Sequence, residues 1–497
     1  MAFNSSTHKV ATKSLVKVVE TNVTGRLLIE DENIIDRVLG CMGCAQITNE
    51  DRIGDAVQLS GTINLSVMYT QGSKSITNGR VVVDFVERFD LIGVENVSYL
   101  PTIKSYKATK ESDKSIVVSA TIETRIYGVR NEEFEVLTCQ EPEVFSQTKT
   151  LSLNRLIASA NTSFSVSETL DIENCKVLGV QAKTIANKIM PFDNYATVEG
   201  VCLLDIVILH DENMKMIQKS VNFVEEVPVL NLTSNAVLDA LVIDRFVNFS
   251  TEVTNETSMK LLIDVGIGLS AWGFEIENVE IITDAFSTIK NMGLSYSQVF
   301  NTQVAPVKLG SERATITINV ENKKRIDEIL YVGQPSSRIE DVSIDNERLN
   351  AKGKICIPVV FKNYDSDEIL GVSLEDKFEF SCEVDSIGND MTADVISVAN
   401  VCNFKNKAGK EISFVVDLNY AISTRAQCSE MFVSRVEELG GCEITKSEIV
   451  VYKPLGSESV FDIAKSLHIS PDVLRLQNPH IEDGKEIQQV VVYRKSR

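Results

Sequence analysis

Gly61-Thr62-Ile63-Asn64-Leu65-Ser66-Val67-Met68-Tyr69 places Ile63, Leu65, Val67 and Tyr69 at alternate positions, and two further glycines open the same pattern. After Gly200 the alternate positions hold Cys202, Leu204, Ile206 and Ile208; after Gly353 they hold Ile355, Ile357, Val359 and Phe361. A period of two over eight residues is the signature of a strand with one buried face. Upstream stand Val38-Leu39-Gly40, Val177-Leu178-Gly179 and Ile329-Leu330-Tyr331, whose leucines precede the glycines by 22, 22 and 23 residues. Two landmarks held in register three times mark an internal repeat.

Outward from each glycine the copies continue alike. A polar turn follows (71–73, 210–213, 363–367), then a second strand carrying Phe85 and Phe89, Phe223 and Val227, or Leu374 and Phe378. A later alternating run holds Ile122, Thr124 and Ile126, or Val265, Ile267 and Leu269, or Val416, Leu418 and Tyr420. The first two copies close on Glu135-Val136-Leu137-Thr138-Cys139 and Glu280-Ile281-Ile282-Thr283-Asp284, the third more loosely around Met431-Phe432-Val433. Valine and isoleucine abundance with hairpin spacing predicts a mainly β chain of three repeated antiparallel β-sandwich-like domains, over residues 1–150, 151–300 and 301–440. Each is large enough for its own core. Minor helices are expected at 151–160 and 326–330, and linkers at 146–152 and 291–306.

Residues 446–497 read differently. Ile449-Val450-Val451-Tyr452 and Val490-Val491-Val492-Tyr493 are strand-like, and Val460, Ile463, Ala464 and Leu467 form one apolar helix face. Ser470-Pro471-Asp472 is a helix start with a capping hydroxyl, proline at the first helical position and an acid in the first turn. Asn478-Pro479 ends that helix, because proline disfavours helical geometry in the residue before it. The predicted order is βααβ.

The formal net charge is −21. Residues 446–497 hold eight basic and seven acidic residues, so the acidity belongs to the body. Such a body argues against nucleic acid or an anionic membrane as the main partner; solubility at high local concentration is the simpler reading. No run approaches the ~18 apolar residues of a membrane-spanning helix. Met1-Ala2-Phe3-Asn4-Ser5-Ser6-Thr7-His8 lacks a basic head and apolar stretch, so no secretory signal is expected. Ten cysteines spread among apolar neighbours, as at Cys202, Cys356 and Cys402, fit buried free thiols in a reducing compartment. Cys41-Met42-Gly43-Cys44 is half a zinc or redox pattern with no second pair nearby, and packing is the preferred reading.

Four histidines, His8, His210, His468 and His480, form no metalloprotease cluster, and neither a phosphate-binding loop nor a nucleophile elbow is present. Gly266-Ile267-Gly268 sits in a strand pattern, and Trp272 just beyond it is expected to pack. No enzyme activity, cofactor or metal site is predicted.

The tail resembles the LysM domain, in which D-T-L-W-D-I-A opens the first helix and L-N-P closes the second. Here these stand as Glu458-Ser459-Val460-Phe461-Asp462-Ile463-Ala464 and Leu476-Gln477-Asn478-Pro479. Three β copies followed by such a tail resemble the SPOCS-domain proteins of endospore-forming bacteria, and Thr283-Asp284-Ala285-Phe286-Ser287 is the stretch most similar to that pattern. Copies one and three depart from it, with Thr138-Cys139-Gln140 and Ser434-Arg435-Val436. The resemblance implies a non-enzymatic spore coat morphogenetic scaffold in the mother-cell cytoplasm at the forespore surface. It would tether coat layers by binding SpoIVA, the ATPase of the coat basement layer, with other coat proteins or a second copy as further partners.

A LysM domain usually binds N-acetylglucosamine chains between the loop before its first helix and the loop after its second. The resemblance places that groove on Ser457, Glu458, Ser459 and Val460, and on Asn478, Pro479, His480 and Ile481. Ser457 stands where glycine is usual, and Gln488-Gln489 where P-G-Q is usual, putting side chains where a sugar needs bare backbone. Protein docking is therefore the preferred use, with Phe461, His480, Tyr493 and Arg494 as candidate anchors; Phe461 equally suits the module's own core. The alternatives are binding of peptidoglycan or its lipid-linked precursor, and a transport or storage shell.

Overall fold

The structure is a computed structural model. It describes all residues except 1–2, 31–33, 73–74, 140, 211–212, 321–324, 367, 408–409, 443–446, 456–457, 482–486 and 495–497. The chain is mainly β, with several antiparallel sheets and two short helices among the described residues.

The first unit comprises β1 (Phe3–Leu28), β2 (Ile35–Ile53), β3 (Ala56–Gln71), β4 (Ser75–Asp90), β5 (Glu95–Ser112) and β6 (Ser115–Cys139). Its sheets have the orders β2-β3-β4 and β1-β6-β5. The second comprises β7 (Val144–Glu173), β8 (Lys176–Phe192), β9 (Tyr195–His210), β10 (Asn213–Pro228), β11 (Val237–Val253) and β12 (Ser258–Ser287), paired as β8-β9-β10 and β7-β12-β11. The third comprises β13 (Lys290–Val304), β14 (Lys308–Asn319), β15 (Ile326–Val332), β16 (Ser336–Asp345), β17 (Arg348–Asn363), β18 (Ile369–Glu383), β19 (Met391–Lys407) and β20 (Glu411–Gly441). There β15 and β16 share one edge of β17 opposite β18, while β13 and β14 share one edge of β20 opposite β19. Pro306, with no N–H to donate, sits between β13 and β14. In the other units the first strand continues through a bulge, at Val16 and Ile157.

The alternating apolar positions face the space between the two sheets of their unit. Ile63, Leu65, Val67 and Tyr69 meet Ile116, Val118, Ala120 and Ile122 there, and the same assembly recurs around Cys202–Leu204–Ile206 and Ile355–Ile357–Val359. Each landmark glycine lies opposite a phenylalanine on the next strand, as Gly61↔Phe85, Gly200↔Phe223 and Gly353↔Phe378. A Cβ at Gly200 or Gly353 would lie 2.7 Å from the ring, so the missing side chain makes room for the aromatic.

The landmark leucines do something else. Leu39, Leu178 and Leu330 are each the extra, unpaired residue of a β-bulge, between Val38/Gly40, Val177/Gly179 and Ile329/Tyr331. A bulge re-aims its side chain, and these three converge on one cluster with Met68, Val207 and Val360, seven residues after the three glycines. The repeated leucine thus joins the three units to one another. Beyond Val129, Phe274 and Ala426 each central strand continues with its first-strand partner as a two-stranded ribbon. The ribbons pack through Val10 and Val136, Leu153 and Ile281, and Val299 and Phe432.

Several expectations are corrected. Residues 151–160 and 326–330 are strand, in β7 and β15. Bulges at Ile157, Asp327 and Leu330 shift the alternation and produce an i, i+3, i+4 spacing that imitates a helix. The expected linkers at 146–152 and 291–306 lie largely in β7 and β13. Trp272 lies within β12. Cys202 is buried, but Cys356 is half-buried and Cys402 exposed, because Cys402 is the bulged residue of β19. Cys41 and Cys44, three apart on a strand, face opposite sides; burial pushes the Cys41 thiol up to about 12. No described helix is long and apolar enough to cross a membrane.

Candidate functional site

The tail folds as β21 (Glu448–Tyr452), α1 (Val460–Leu467), α2 (Pro471–Gln477) and β22 (Val490–Arg494), with β21 and β22 antiparallel. Val460, Ile463, Ala464 and Leu467 are all buried, against Leu474, Val490 and Val492. Ser470 accepts from the Val473 N–H at 3.1 Å, capping α2.

The residues proposed to form the groove are mostly engaged within the tail. The Ser459 hydroxyl accepts from the Asp462 N–H at 3.2 Å, and the Asp462 carboxylate accepts from the Ser459 N–H at 2.8 Å, a reciprocal cap of α1. Glu458 accepts from the Tyr452 hydroxyl at 2.9 Å and the Leu455 N–H at 2.7 Å, and this carboxylate holds the Tyr452 phenol above its usual range. Asn478 is buried; its amide donates to the carbonyls of Leu474 (3.1 Å) and Val491 (2.9 Å), and its oxygen accepts from the Val491 N–H (2.8 Å). It splices the end of α2 onto β22. Val460 is core, and Ile481 packs half-buried beside it. Pro479 and His480 are exposed, and a His480 ring nitrogen lies 3.2 Å from the Gln489 carbonyl. Ser457 lies outside the described residues.

The candidate anchors divide. Phe461 packs at 5.1 Å, edge to face, against Phe286 of β12, which stacks at 5.6 Å on Phe145 of β7. Lys465 donates to both carboxylate oxygens of Asp284 at 2.6 Å, and a ring nitrogen of His468 lies 3.5 Å from the Ser287 carbonyl. Phe461 is therefore covered by the second unit's ribbon. Arg494 pairs with Glu448 and reaches the Leu467 carbonyl, which commits it to the tail's own frame. Tyr493 is exposed.

Sequence reasoning singled out 283–287 without assigning it a contact. The available signal was its singularity: Asp284 and Phe286 align with Cys139 and Glu141 of the first copy, which could provide neither the anion nor the ring.

One open face of the tail is apolar. Ile449↔Tyr493 and Val451↔Val491 are cross-strand partners, so the four occupy the outer face of the β21–β22 sheet. All four are exposed, as is Leu476 of α2 at 82%. Gln477 closes the outer edge of β22 through the Tyr493 backbone, accepting its N–H at 2.8 Å and donating to its carbonyl at 3.3 Å. Among the described residues, no group of three or more His, Cys, Asp or Glu is arranged to hold a metal. No family model, no curated protein and no solved structure matches the chain.

Proposed function

We propose that this chain is a non-enzymatic morphogenetic scaffold of the bacterial spore envelope, similar to the SipL spore coat proteins. In this reading three repeated β-sandwich-like SPOCS units, each made of two sheets, present a C-terminal LysM-like βααβ domain. The scaffold sits in the mother-cell cytoplasm at the forespore surface and tethers the coat by gripping a SpoIVA-like basement-layer ATPase, chiefly through the tail.

The observation that carries this choice is the division of polarity in the tail. The polar groups of Glu458, Ser459 and Asn478 that a sugar would need are spent on caps and strand splices. The outer sheet face instead offers Ile449, Val451, Val491 and Tyr493, the aliphatic and aromatic chemistry of a protein interface. Affinity capture from sporulating cells with the full chain and with a chain ending at residue 442 tests it. The full chain should retain the ATPase and the truncated chain should lose it; equal capture by both would refute the tail's role.

A further inference from the structure

We propose that the junction of the three units is a binding site for a small, uncharged amphipathic molecule with a hydroxyl or amide head group. A cavity of about 470 Å³ lies there, within the range of roughly 300–1,000 Å³ typical of small-molecule sites. All three units line it: 42–45 and 100–103 from the first, 179–184 and 242–244 from the second, 334–336 and 396–398 from the third. Leu100, Ile103, Val180, Val242, Ile396 and Val398 supply an apolar wall. Arg80 and Phe249, both exposed, stand at its mouth.

One end is polar and under-satisfied. Both Asp244 oxygens share one backbone donor, the Thr184 N–H, at 3.0 and 3.2 Å, and the Thr184 hydroxyl lies close to the same carboxylate. The buried Thr184 hydroxyl, close to that carboxylate and to the Cys202 thiol, makes no hydrogen bond of ordinary geometry. Lys183 donates to the carbonyls of Pro335 and Ala399 (3.2 Å for the latter), which leaves one of its three N–H groups. Buried polar groups without partners are costly, and the fold does not require these. Counted from the landmark glycines and the bulges at Lys104, Arg245 and Cys402, the first unit carries Cys44, Ala45 and Ile103 at these three registers. The third carries Ser336, Ser337 and Val401. Only the second places an ammonium, a hydroxyl and a carboxylate together.

The pairing of charges selects the ligand. A cationic head would meet Lys183 and an anionic head Asp244, whereas a neutral group that both donates and accepts satisfies Asp244, Thr184 and the spare ammonium proton together.

The test uses the full-length chain and dansylamide, an uncharged fluorogenic probe with apolar rings and a primary sulfonamide that both donates and accepts. Fluorescence should saturate at one probe per chain. Val242→Trp, which fills the cavity, should weaken binding at least tenfold, and Asp244→Asn should weaken it several-fold. If Val242→Trp perturbs the circular dichroism spectrum, Leu100→Phe and Ile396→Phe fill the cavity from the opposite walls. Absence of saturable binding, or binding indifferent to every filling variant, means a water-filled junction only and overturns the site. Binding lost on filling but unchanged in Asp244→Asn overturns the head-group assignment.

Discussion

Lys13 is a buried ammonium in a polar group drawn from all three units, with the third reached through Asp239. Its Nζ lies 2.6 Å from Asp239 Oδ2 on β11, with side-chain exposures of 4% and 3%. The other Asp239 oxygen accepts from Ser423 of β20 at 2.7 Å. The ammonium sits 4.1 Å from the Trp272 ring centroid and 5.4 Å from that of Tyr127. Lys13→Met keeps the length of the side chain and strands the Asp239 carboxylate with one hydroxyl donor. Breaking a buried pair in this way costs about 3–5 kcal/mol, with a cation–π contribution of roughly 1–2 kcal/mol also removed. Asp239→Leu strands the lysine at a similar cost. The double variant leaves no buried charge and loses the Ser423 hydrogen bond, about 1 kcal/mol, and the cation–π contribution, roughly 1–2 kcal/mol. The expected double-mutant coupling is therefore about 3 kcal/mol or more, far above the ~0.5 kcal/mol limit of independent sites. Calorimetry supplies the assay. At about 2–4 °C per kcal/mol, Asp239→Leu should lower the first transition by roughly 6–20 °C and Lys13→Met by roughly 8–28 °C, and the double should lie well above both. Because the pair ties β1 to β11 and β20, the single variants should also split the endotherm. Additive losses with an unsplit transition would refute the claim that this pair locks the units together.

Leu178→Ala should cost about 2–5 kcal/mol, seen as a lowered Tm, and Leu330→Ala less, because Leu178 is fully buried in the inter-unit cluster and Leu330 only partly. Gly200→Ala should cost about 1–3 kcal/mol through overpacking against the Ile185 carbonyl, 2.4 Å from the added Cβ, and the Phe223 ring at 2.7 Å, and a Phe223→Ala background should relieve only the ring's part of the penalty in the same melts. Asp284→Asn should change amide exchange protection of α1 little, since a half-exposed ion pair is worth about 0–1 kcal/mol, whereas Phe286→Ala should free the tail from the body and raise exchange at Phe461. Stability should fall as pH rises above about 9. Burial holds the thiols of Cys41 and Cys202 up to about 12, so the unfolded chain releases these protons first and the folded state loses its advantage through that window. Lys183, which burial lowers to about 8, acts in the opposite sense between about pH 8 and 10.4, the ordinary lysine value. Lys183→Met should therefore steepen the alkaline fall in Tm.

The strands were legible because a half-buried strand writes its period directly into the chain, as at Ile63-Asn64-Leu65-Ser66-Val67. The tail was legible for a similar reason: Ser470-Pro471 and the 460/463/464/467 face are local signals, and all four face residues are buried. The failures share one cause, the bulge. An extra residue resets the phase of alternation, so Ile326, Ile329 and Leu330 acquire helical spacing while lying in a strand. The landmark leucines were visible as a repeat, but nothing local says that Leu39, Leu178 and Leu330 leave their own cores to meet one another. The groove residues illustrate the same limit. Glu458, Ser459 and Asn478 look like ligand-binding polar groups until their backbone partners are in place, and Phe461 looks like an exposed anchor until Phe286 is found against it. Contacts at large sequence separation decided the leucines and Phe461, whereas caps within six residues decided Glu458 and Ser459.

The repeats are alike in what holds each unit together and unlike in what joins them. Each unit has its glycine–phenylalanine pair and its bulged leucine, so the apolar junction treats the three nearly as equals. The polar junctions do not, for each has its distinctive group in the second unit. Asp239 and Trp272 receive Lys13 from the first unit, Lys183 reaches the third unit's carbonyls, and Asp284 with Phe286 receives the tail. Apolar contacts are non-directional and would tolerate an exchange of positions among three similar bodies, whereas a buried ion pair or a clasped ammonium is satisfied by one arrangement. The Lys13–Asp239 pair and the Lys183 clasp therefore favour one arrangement of the three units, and Phe286 holds the ribbon end on which the tail rests with its apolar outer face still open.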